Sequence, residues 1–448
     1  MRRNTASPEP APLSGRAARA LVFVSLFVPY TYFNHSDGWN QGVRIAELHA
    51  VVLKGTLRID DYLSYTGDRA LIDGHYYSEK APGAALAALP AFTATVLTQR
   101  ALGIDPDAED AKRVSDWIAT AFSIGLLTSL GGVAFFALLS EEFDRLSAVM
   151  ATFAMFLGTI TWPYATALFA HAGTVGLLAI ALWAVLGRGR RDAIGGLAAG
   201  FAVAFEYPAI IPGAALGLYL GTVDWRRMMR FGIASLPAAA LILLNNYAIS
   251  GSPFRFSYGS NPLFPELTGA SYGLQAPNLQ AIPSLLFGEY RGLFFWSPVL
   301  VMCVPGVIVL FRRRPRVAAL LGVTIVLVVL QVVSFYTWFG GNAIGPRYLA
   351  PALPLIGLAA AYGIHRFPEM GLILGVASIG LMALVTAIAI DPPGDVLTPL
   401  QSFYLARLEQ NRFAPNLGTL IGLPIWASVL VPLAVPAVAA WPLLRGAR

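Results

Sequence analysis

Apolar segments near the length that crosses a lipid bilayer follow one another along almost the whole of this 448-residue chain. They lie near 17–32, 81–98, 114–139, 146–163, 168–186, 193–209, 210–223, 231–247, 298–311, 317–335, 350–362, 372–390 and 421–442. A helix of about 20 residues spans the ~30 Å hydrocarbon layer. Inside that layer only helices and closed barrels satisfy their own backbone polar groups. The pattern therefore selects an all-α polytopic membrane protein of about 12–14 transmembrane helices. Several segments are short or carry proline, which is tolerated where neighbouring helices re-satisfy the freed backbone groups. A mean hydropathy of +0.63 and a charged fraction of only 12% place the chain outside the soluble globular range.

The charges that remain are not scattered. The net charge of +6 does not indicate nucleic-acid binding, because the basic residues sit in short clusters between apolar runs. Arg188/Arg190/Arg191, Arg226/Arg227/Arg230 and Arg312/Arg313/Arg314/Arg316 mark cytoplasmic loops by the positive-inside rule. Counting outward from them puts 33–80, 163–171, 247–297, 336–349 and 391–420 on the exoplasmic face. Residues 1–16 are expected to form a disordered cytoplasmic N-terminus, with Arg2, Arg3, Arg16 and Arg19 ahead of the first helix and 20–32 acting as a signal anchor. Residues 17–448 then form a single transmembrane domain, with 33–80 and 247–297 as its two large exoplasmic loops. Thirteen crossings would leave Arg445 and Arg448 outside, so a segment around 81–113, where Pro82, Pro90 and an acidic run occur, is expected to be re-entrant. The lone Cys303 excludes an internal disulfide.

Polar chemistry is concentrated in the first loop. Seven of the 25 acidic residues (Asp37, Glu47, Asp60, Asp61, Asp68, Asp73, Glu79) and three of the five histidines (His35, His49, His75) fall between Phe33 and Lys80. A passive connector needs none of this. Residues 40–53 read as an amphipathic helix lying in the interface, with Val43, Ala46, Ala50 and Leu53 on one side and Gly55 ending it.

The order of motifs resembles a known family. A first helix is followed by a flat helix with Arg44-Ile45-Ala46-Glu47, then Gly55, then Tyr76-Tyr77-Ser78-Glu79-Lys80-Ala81-Pro82-Gly83 opening the second apolar segment. Further stretches are Pro163-Tyr164-Ala165-Thr166 with His171, Phe205-Glu206-Tyr207-Pro208, Arg291-Gly292-Leu293-Phe294 before Ser297-Pro298, and Trp338-Phe339-Gly340-Gly341 with Gly345-Pro346-Arg347-Tyr348-Leu349. Over about residues 16–365 this is similar to the GT-C superfamily of polytopic glycosyltransferases, in the branch of the protein O-mannosyltransferases and the lipid A aminoarabinose transferases. The resemblance implies transfer of a sugar from a polyprenyl-phosphate donor to a lipid or glycan acceptor on the exoplasmic face of a bacterial inner membrane. Membrane lipid, not nucleic acid, is the implied surroundings.

That chemistry needs a base on one side of the anomeric carbon and charge stabilisation of the departing phosphate on the other. Lys80, Arg291 and Arg347, with Tyr348 beside the last, are the candidate donor-phosphate group, since guanidinium forks match phosphate oxygens. A lone cation at that depth is more commonly an interfacial anchor; three on the face of the acidic loop favour a ligand. In the resembling branch an Asp-Glu pair precedes the Arg-x-Ala-Glu helix, where this chain has Gln41 and Gly42. The base is therefore sought among Asp37, Asp68 and Asp60, in that order. His75, Tyr77, Glu79 and His171 are candidate substrate-contacting residues. Glu79 with His75 and His171 could hold a divalent metal, although an ion pair of Glu79 with Lys80 or Arg347 is the commoner arrangement. Glu206 lies in an apolar run and is read as a hairpin top near the surface. Trp296, Tyr336, Trp338 and Tyr348 suit an interfacial belt. A transporter or flippase, or an inactive scaffold of the same fold, is the alternative; the crowding of charge at one face, without internal repeats, favours the enzyme.

Overall fold

Two faces of loops, one basic and one rich in acidic and aromatic side chains, are joined by helices that run back and forth between them. The protein, seen in a computed structural model, is described over residues 14–268 and 271–444. Arg2, Arg3, Arg445, Arg448 and most of the 1–16 segment lie outside these residues. Six helices are long and apolar enough to cross a bilayer by themselves: Glu109–Leu139, Trp225–Ser250, Pro315–Val333, Arg347–Arg366, Pro368–Ile388 and Ile425–Leu444. Shorter apolar helices, Arg145–Leu157, Ala170–Leu186, Asp192–Phe205 and Tyr207–Val223, run alongside. With Gly15–Tyr32 (α1) and Cys303–Arg313, the described residues hold twelve apolar helices that run between the two faces. Among the described residues the molecule is all-α apart from one small hairpin.

Ion pairs fix which helix ends meet at the basic face. Arg227 grips Asp192 through Nε (3.0 Å) and a terminal nitrogen (2.7 Å). Glu142 takes Arg314 and the Tyr362 hydroxyl, and Asp144 pairs with His365 at 3.1 Å. The opposite ends are tied by backbone bonds: Phe33 bridges Asn416, Ala414 donates to Ala387 (2.8 Å) and Gln275 to Ser334 (2.7 Å). Small residues bring the helices together, as membrane packing requires. A Cβ on Gly131 would come within 2.3 Å of Gly176, and one on Gly306 within 1.8 Å of the Ala359 carbonyl.

One apolar segment does not cross. Gly83–Ala101 (α3, after α2 at Trp39–Lys54) begins against Ala204 and Phe205, and near its other end Gln99 donates to the Ala111 carbonyl at 2.8 Å. Lys80, just before it, and Asp107, just after it, line the same cavity. Both ends therefore belong to the acidic face. Helix Glu109–Leu139 has 31 residues and at 1.5 Å each is about 46 Å long, more than a bilayer core needs; α3 runs antiparallel to its projecting first half. The segment expected to be re-entrant is instead one arm of a helical hairpin standing on the acidic face. With α3 removed from the count the passes are even, and Ile425–Leu444 ends at the face where α1 begins.

Helix α2 stands at the predicted place but is not an open interfacial helix. Val43, Ala46 and Ala50 pack on Ile59 and Tyr62, as the pattern required. Ile45 and Leu48 enter the main core on the other side. Every residue from Gln41 to Ala50 is buried, including Arg44, Glu47 and His49. The helix-wheel pattern showed one apolar face; the second is covered because α3 and the Glu109–Leu139 helix close over it, with His49 bonded to Asp116 at 3.1 Å.

The hairpin arrangement predicts a labelling pattern. In a Cys303→Ser background, cysteines at Leu71 and Leu102 should react with a membrane-impermeant thiol reagent from the same side, and one at Arg190 only from the other. Reaction of the Leu102 position from the Arg190 side would mean that α3 crosses.

Candidate functional site

The first loop is built around a β-hairpin, Arg69–Ile72 (β1) with His75–Ser78 (β2), paired Arg69↔Ser78 through Ile72↔His75. Asp73 (φ 49°) and Gly74 (φ 81°) form its two-residue turn, the Asp-Gly sequence suited to two left-handed residues. Asp60 braces the hairpin from outside, accepting from the Tyr76 amide (2.8 Å) and pairing with His75 (2.9 Å). Ala70, Ile72 and Tyr77 pack against Ile249. Asp60, His75 and Tyr77 are thereby engaged in holding the hairpin, and none of them lines the cavity beside it.

That cavity measures about 1270 Å³. Asp37, Gly38, Asp68, Glu79, Lys80, Tyr258, Tyr336, Arg347, Tyr348 and Asp391 are in its wall. The end of β2 delivers Lys80 into it, where Nζ meets Asp68 at 3.0 Å and also pairs with Glu79. Glu79 in turn accepts from the Asn261 side chain at 2.5 Å, tying the first loop to the second. Burial alone would draw Lys80 down, but Asp68 and Glu79 hold it above the ordinary lysine range. Glu79 is raised, burial outweighing the adjacent ammonium. Below the site Glu47 is pushed up to about 7 by burial, against the pull of Ser78 and Arg44.

The other cation is differently held. Gly340, Gly341 and Gly345 have φ of 80°, 62° and 59° and wind the 339–346 loop tightly before Arg347. A Cβ on Gly340 would stand 2.9 Å from the Arg347 Nε, so the glycine makes room for the guanidinium. Arg347 lies over the rings of Phe169 (5.4 Å) and Tyr348 (5.0 Å) and donates to the Tyr348 hydroxyl (3.3 Å). Its Nε is buried without a hydrogen-bond partner, and among the described residues it makes no ion pair.

Arg291 does not join Lys80 and Arg347. Its guanidinium is fully buried outside the cavity and donates to three carbonyls, Phe339 (2.6 Å), Tyr290 (2.8 Å) and Gly341 (2.7 Å). It fixes the glycine loop from behind. His171 is also withdrawn: it pairs with Glu206 in the interior, enclosed by the rings of Tyr164, Phe169 and Tyr348. Glu206 stands between helices Asp192–Phe205 and Tyr207–Val223, at the expected hairpin top, and pairs there with His171. Glu79, His75 and His171 each have a different partner and do not form one ligand set. Among the described residues no group of three or more His, Cys, Asp or Glu side chains could hold a metal.

Of the three carboxylates considered as base, Asp37 and Asp68 reach the cavity. Asp68 is engaged by Lys80, whereas Asp37 is exposed within the cavity wall. Asn261, Tyr258 and Asp391 also help build the site and were not singled out from the sequence. Only the position of Asp391 in a polar-face loop, in Asp391-Pro392-Pro393-Gly394, could have indicated it.

No family model matches the chain, and no curated protein is similar to it in sequence. Among solved structures it is similar to ArnT from Cupriavidus metallidurans bound to undecaprenyl phosphate (16% identity, 96% of this chain, 76% of that chain, TM-score 0.48). The apo state of ArnT gives 18% identity, the same coverage and a TM-score of 0.49. The archaeal oligosaccharyltransferase AglB from Archaeoglobus fulgidus, in complex with an inhibitory peptide and a dolichol-phosphate, gives 12% identity, 90% of this chain, 56% of that chain and a TM-score of 0.47.

The two arginines should separate on substitution. Arg291→Met strands three buried carbonyls and is expected to lower stability by on the order of 2–4 kcal/mol, visible as an earlier thermal unfolding transition in detergent. Arg347→Met, at a side chain with a single weak protein hydrogen bond, should unfold at the parental temperature. Equal transitions for the two variants would contradict these roles.

Proposed function

We propose that this protein transfers a sugar from a polyprenyl-phosphate carrier to a lipid or glycan acceptor at the acidic face of a bacterial inner membrane, which is the periplasmic face. The observation that carries this reading is one cavity lined both by Arg347, a guanidinium with no ion pair among the described residues, and by Asp37, an accessible carboxylate. The order of motifs from Arg44 to Tyr348 supports the same class. So does the placing of the charged groups at one face, where a solute carrier would be expected to keep them near the midplane.

In this mechanism the donor phosphate lies on Arg347 and the Tyr348 hydroxyl, with Lys80 alongside. Lys80 already shares its charge with Asp68 and Glu79, so Arg347 carries most of the attraction for the phosphate. Asp37 takes the proton of the acceptor hydroxyl. The acceptor oxygen bonds to the anomeric carbon as the bond from that carbon to the phosphate oxygen breaks, and the lipid phosphate departs with the electron pair. Its growing charge is met by the guanidinium, whose Nε has no hydrogen-bond partner in the protein. Attack opposite the leaving group inverts the anomeric centre.

Two variants test the assignment in purified protein reconstituted in lipid. Arg347→Met should weaken binding of a polyprenyl phosphate roughly 10- to 100-fold, the value of a charge-assisted hydrogen bond. Asp37→Asn should bind it normally and lose on the order of 10²-fold in turnover. Parental turnover in Asp37→Asn would transfer the base assignment to Asp68. A parental protein that neither binds the carrier nor transfers any sugar would end the transferase reading.

A further inference from the structure

Trp39 opens helix α2 two residues after Asp37, lines the same cavity and remains 54% exposed. A tryptophan at a membrane surface is ordinarily an interfacial anchor. This one shares its wall with Asp37 and Asp61, not with apolar side chains suited to lipid. The mechanism proposed above gives it nothing to do.

Its ring nevertheless has a fixed seat. A Cβ on Gly67 would stand 2.7–2.8 Å from Cε3, Cζ3 and Cη2 of the indole. Three neighbouring ring atoms at nearly one distance place the glycine over the face of the six-membered ring, not at its edge. A side chain at position 67 would push the ring away. The backbone is held as well: the Thr66 hydroxyl donates to the Trp39 carbonyl (2.8 Å) and accepts from the Asp68 amide (2.9 Å). A Cβ on Gly42 would run into the Tyr65 carbonyl, so the start of α2 lies directly on residues 65–68. The last of these, Asp68, is the one that holds Lys80. One face of the indole is thus closed by glycine, and the other is left to the cavity.

We propose that Trp39 is the stacking platform of the acceptor subsite, and that the acceptor is a glycan without acidic groups, free or as the headgroup of a lipid. This rests on the transferase reading and on Asp37 as its base. The face of an indole is negative and attracts the polarised C–H bonds on the flat side of a sugar ring. Two residues of chain separate Trp39 from Asp37, so their Cα atoms are about 7 Å apart at most. A sugar ring stacked on the indole therefore brings its hydroxyls to the proposed base. The charge of the wall selects further. Among the described residues it holds seven carboxylates and four cations. Of the cations, Lys80 is taken by Asp68 and Glu79, Lys112 lies 3.8 Å from Asp107, and Arg347 is kept for the donor phosphate. Carboxylates accept from hydroxyl and ammonium groups and repel anions. An uncharged or amino-bearing glycan fits this wall, and an acidic one does not.

The test is glycan binding by the full chain reconstituted in lipid. It is read on an array carrying neutral, amino-bearing and acidic glycans, each both as a free-ended oligosaccharide and as a glycolipid. The parental protein should retain neutral or amino-bearing glycans and no acidic ones. Trp39→Ala should bind them about tenfold or more weakly, whereas Trp39→Phe, which keeps a ring, should stay within about threefold. Gly67→Ala, which displaces the indole from its seat, should weaken the same glycans as Trp39→Ala. Both Trp39 variants should bind undecaprenyl phosphate as the parental protein does and unfold at its temperature. Retention of glycolipids alone would identify a lipid headgroup as the acceptor, and retention of both forms a free glycan; either supports the proposal. An array that retains nothing, one that retains acidic glycans, or unchanged retention in Trp39→Ala overturns it. In a transfer assay Trp39→Ala should raise the KM for acceptor and not that for donor; the reverse also overturns it. A parental protein that binds no undecaprenyl phosphate would end the transferase reading, and the array would then decide the glycan platform by itself.

Discussion

The guanidinium of Arg291, buried with three backbone carbonyls, is the interaction on which the site depends. A loop wound through Gly340, Gly341 and Gly345 turns carbonyl oxygens inward, and in a water-poor interior each of them needs a donor. One planar cation with five N–H groups satisfies several at once. Because Arg291 holds this loop from behind, Arg347 can emerge in front of it with no carboxylate attached. Desolvating a charge is costly, and here one buried arginine meets that cost so that a second remains available to a ligand.

The same economy of charge explains Lys80. It enters a cavity whose wall has more carboxylates than cations, and two of them close on it. The resulting Asp68–Lys80–Glu79–Asn261 chain joins the first and second large loops, and this structural role is incompatible with full commitment to a phosphate. In the proposed reaction, an arginine without an ion pair among the described residues and a lysine paired with two carboxylates, both lining one cavity, would set a direction: phosphate toward Arg347, and the hydroxyl-bearing acceptor toward the exposed Asp37.

Much of this was legible in the sequence. Hydrocarbon-length runs and arginine clusters fixed the fold class and the pairing of loop faces, because both follow from solvation and need no tertiary detail. The motif order brought Lys80, Glu79, Arg347 and Tyr348 to one place. What could not be read was which cation is engaged by whom: Arg291 and Arg347 are indistinguishable in a string of letters, and their difference lies in whether nearby glycines point carbonyls or empty space at them. His171 and Glu206 found each other across some 35 positions for a similar reason, the carboxylate of one meeting the buried imidazole of the other. Asp60 looked like a base because it is acidic and in the right loop, yet a hairpin needing an anchor for the Tyr76 amide engaged it first.

Helix α3 illustrates the sharper limit. Its 19 residues are long enough to span a membrane, although it is less apolar than the six helices that cross by themselves, and a run of this length in a sequence does not tell a lipid-facing helix from one covered by protein. The deciding features are elsewhere. The projecting half of the Glu109–Leu139 helix offers a partner outside the bilayer, and Gln99 finds its hydrogen bonds there. The contact of Gly83 with Ala204 and Phe205 anchors the start of α3 at the end of a crossing helix. That anchor sets the depth of Lys80, three residues earlier, and with it the floor of the cavity. Had α3 crossed, Asp107 would lie at the basic face and the cavity would lose a wall. The site exists because one apolar segment was kept out of the membrane to enclose it.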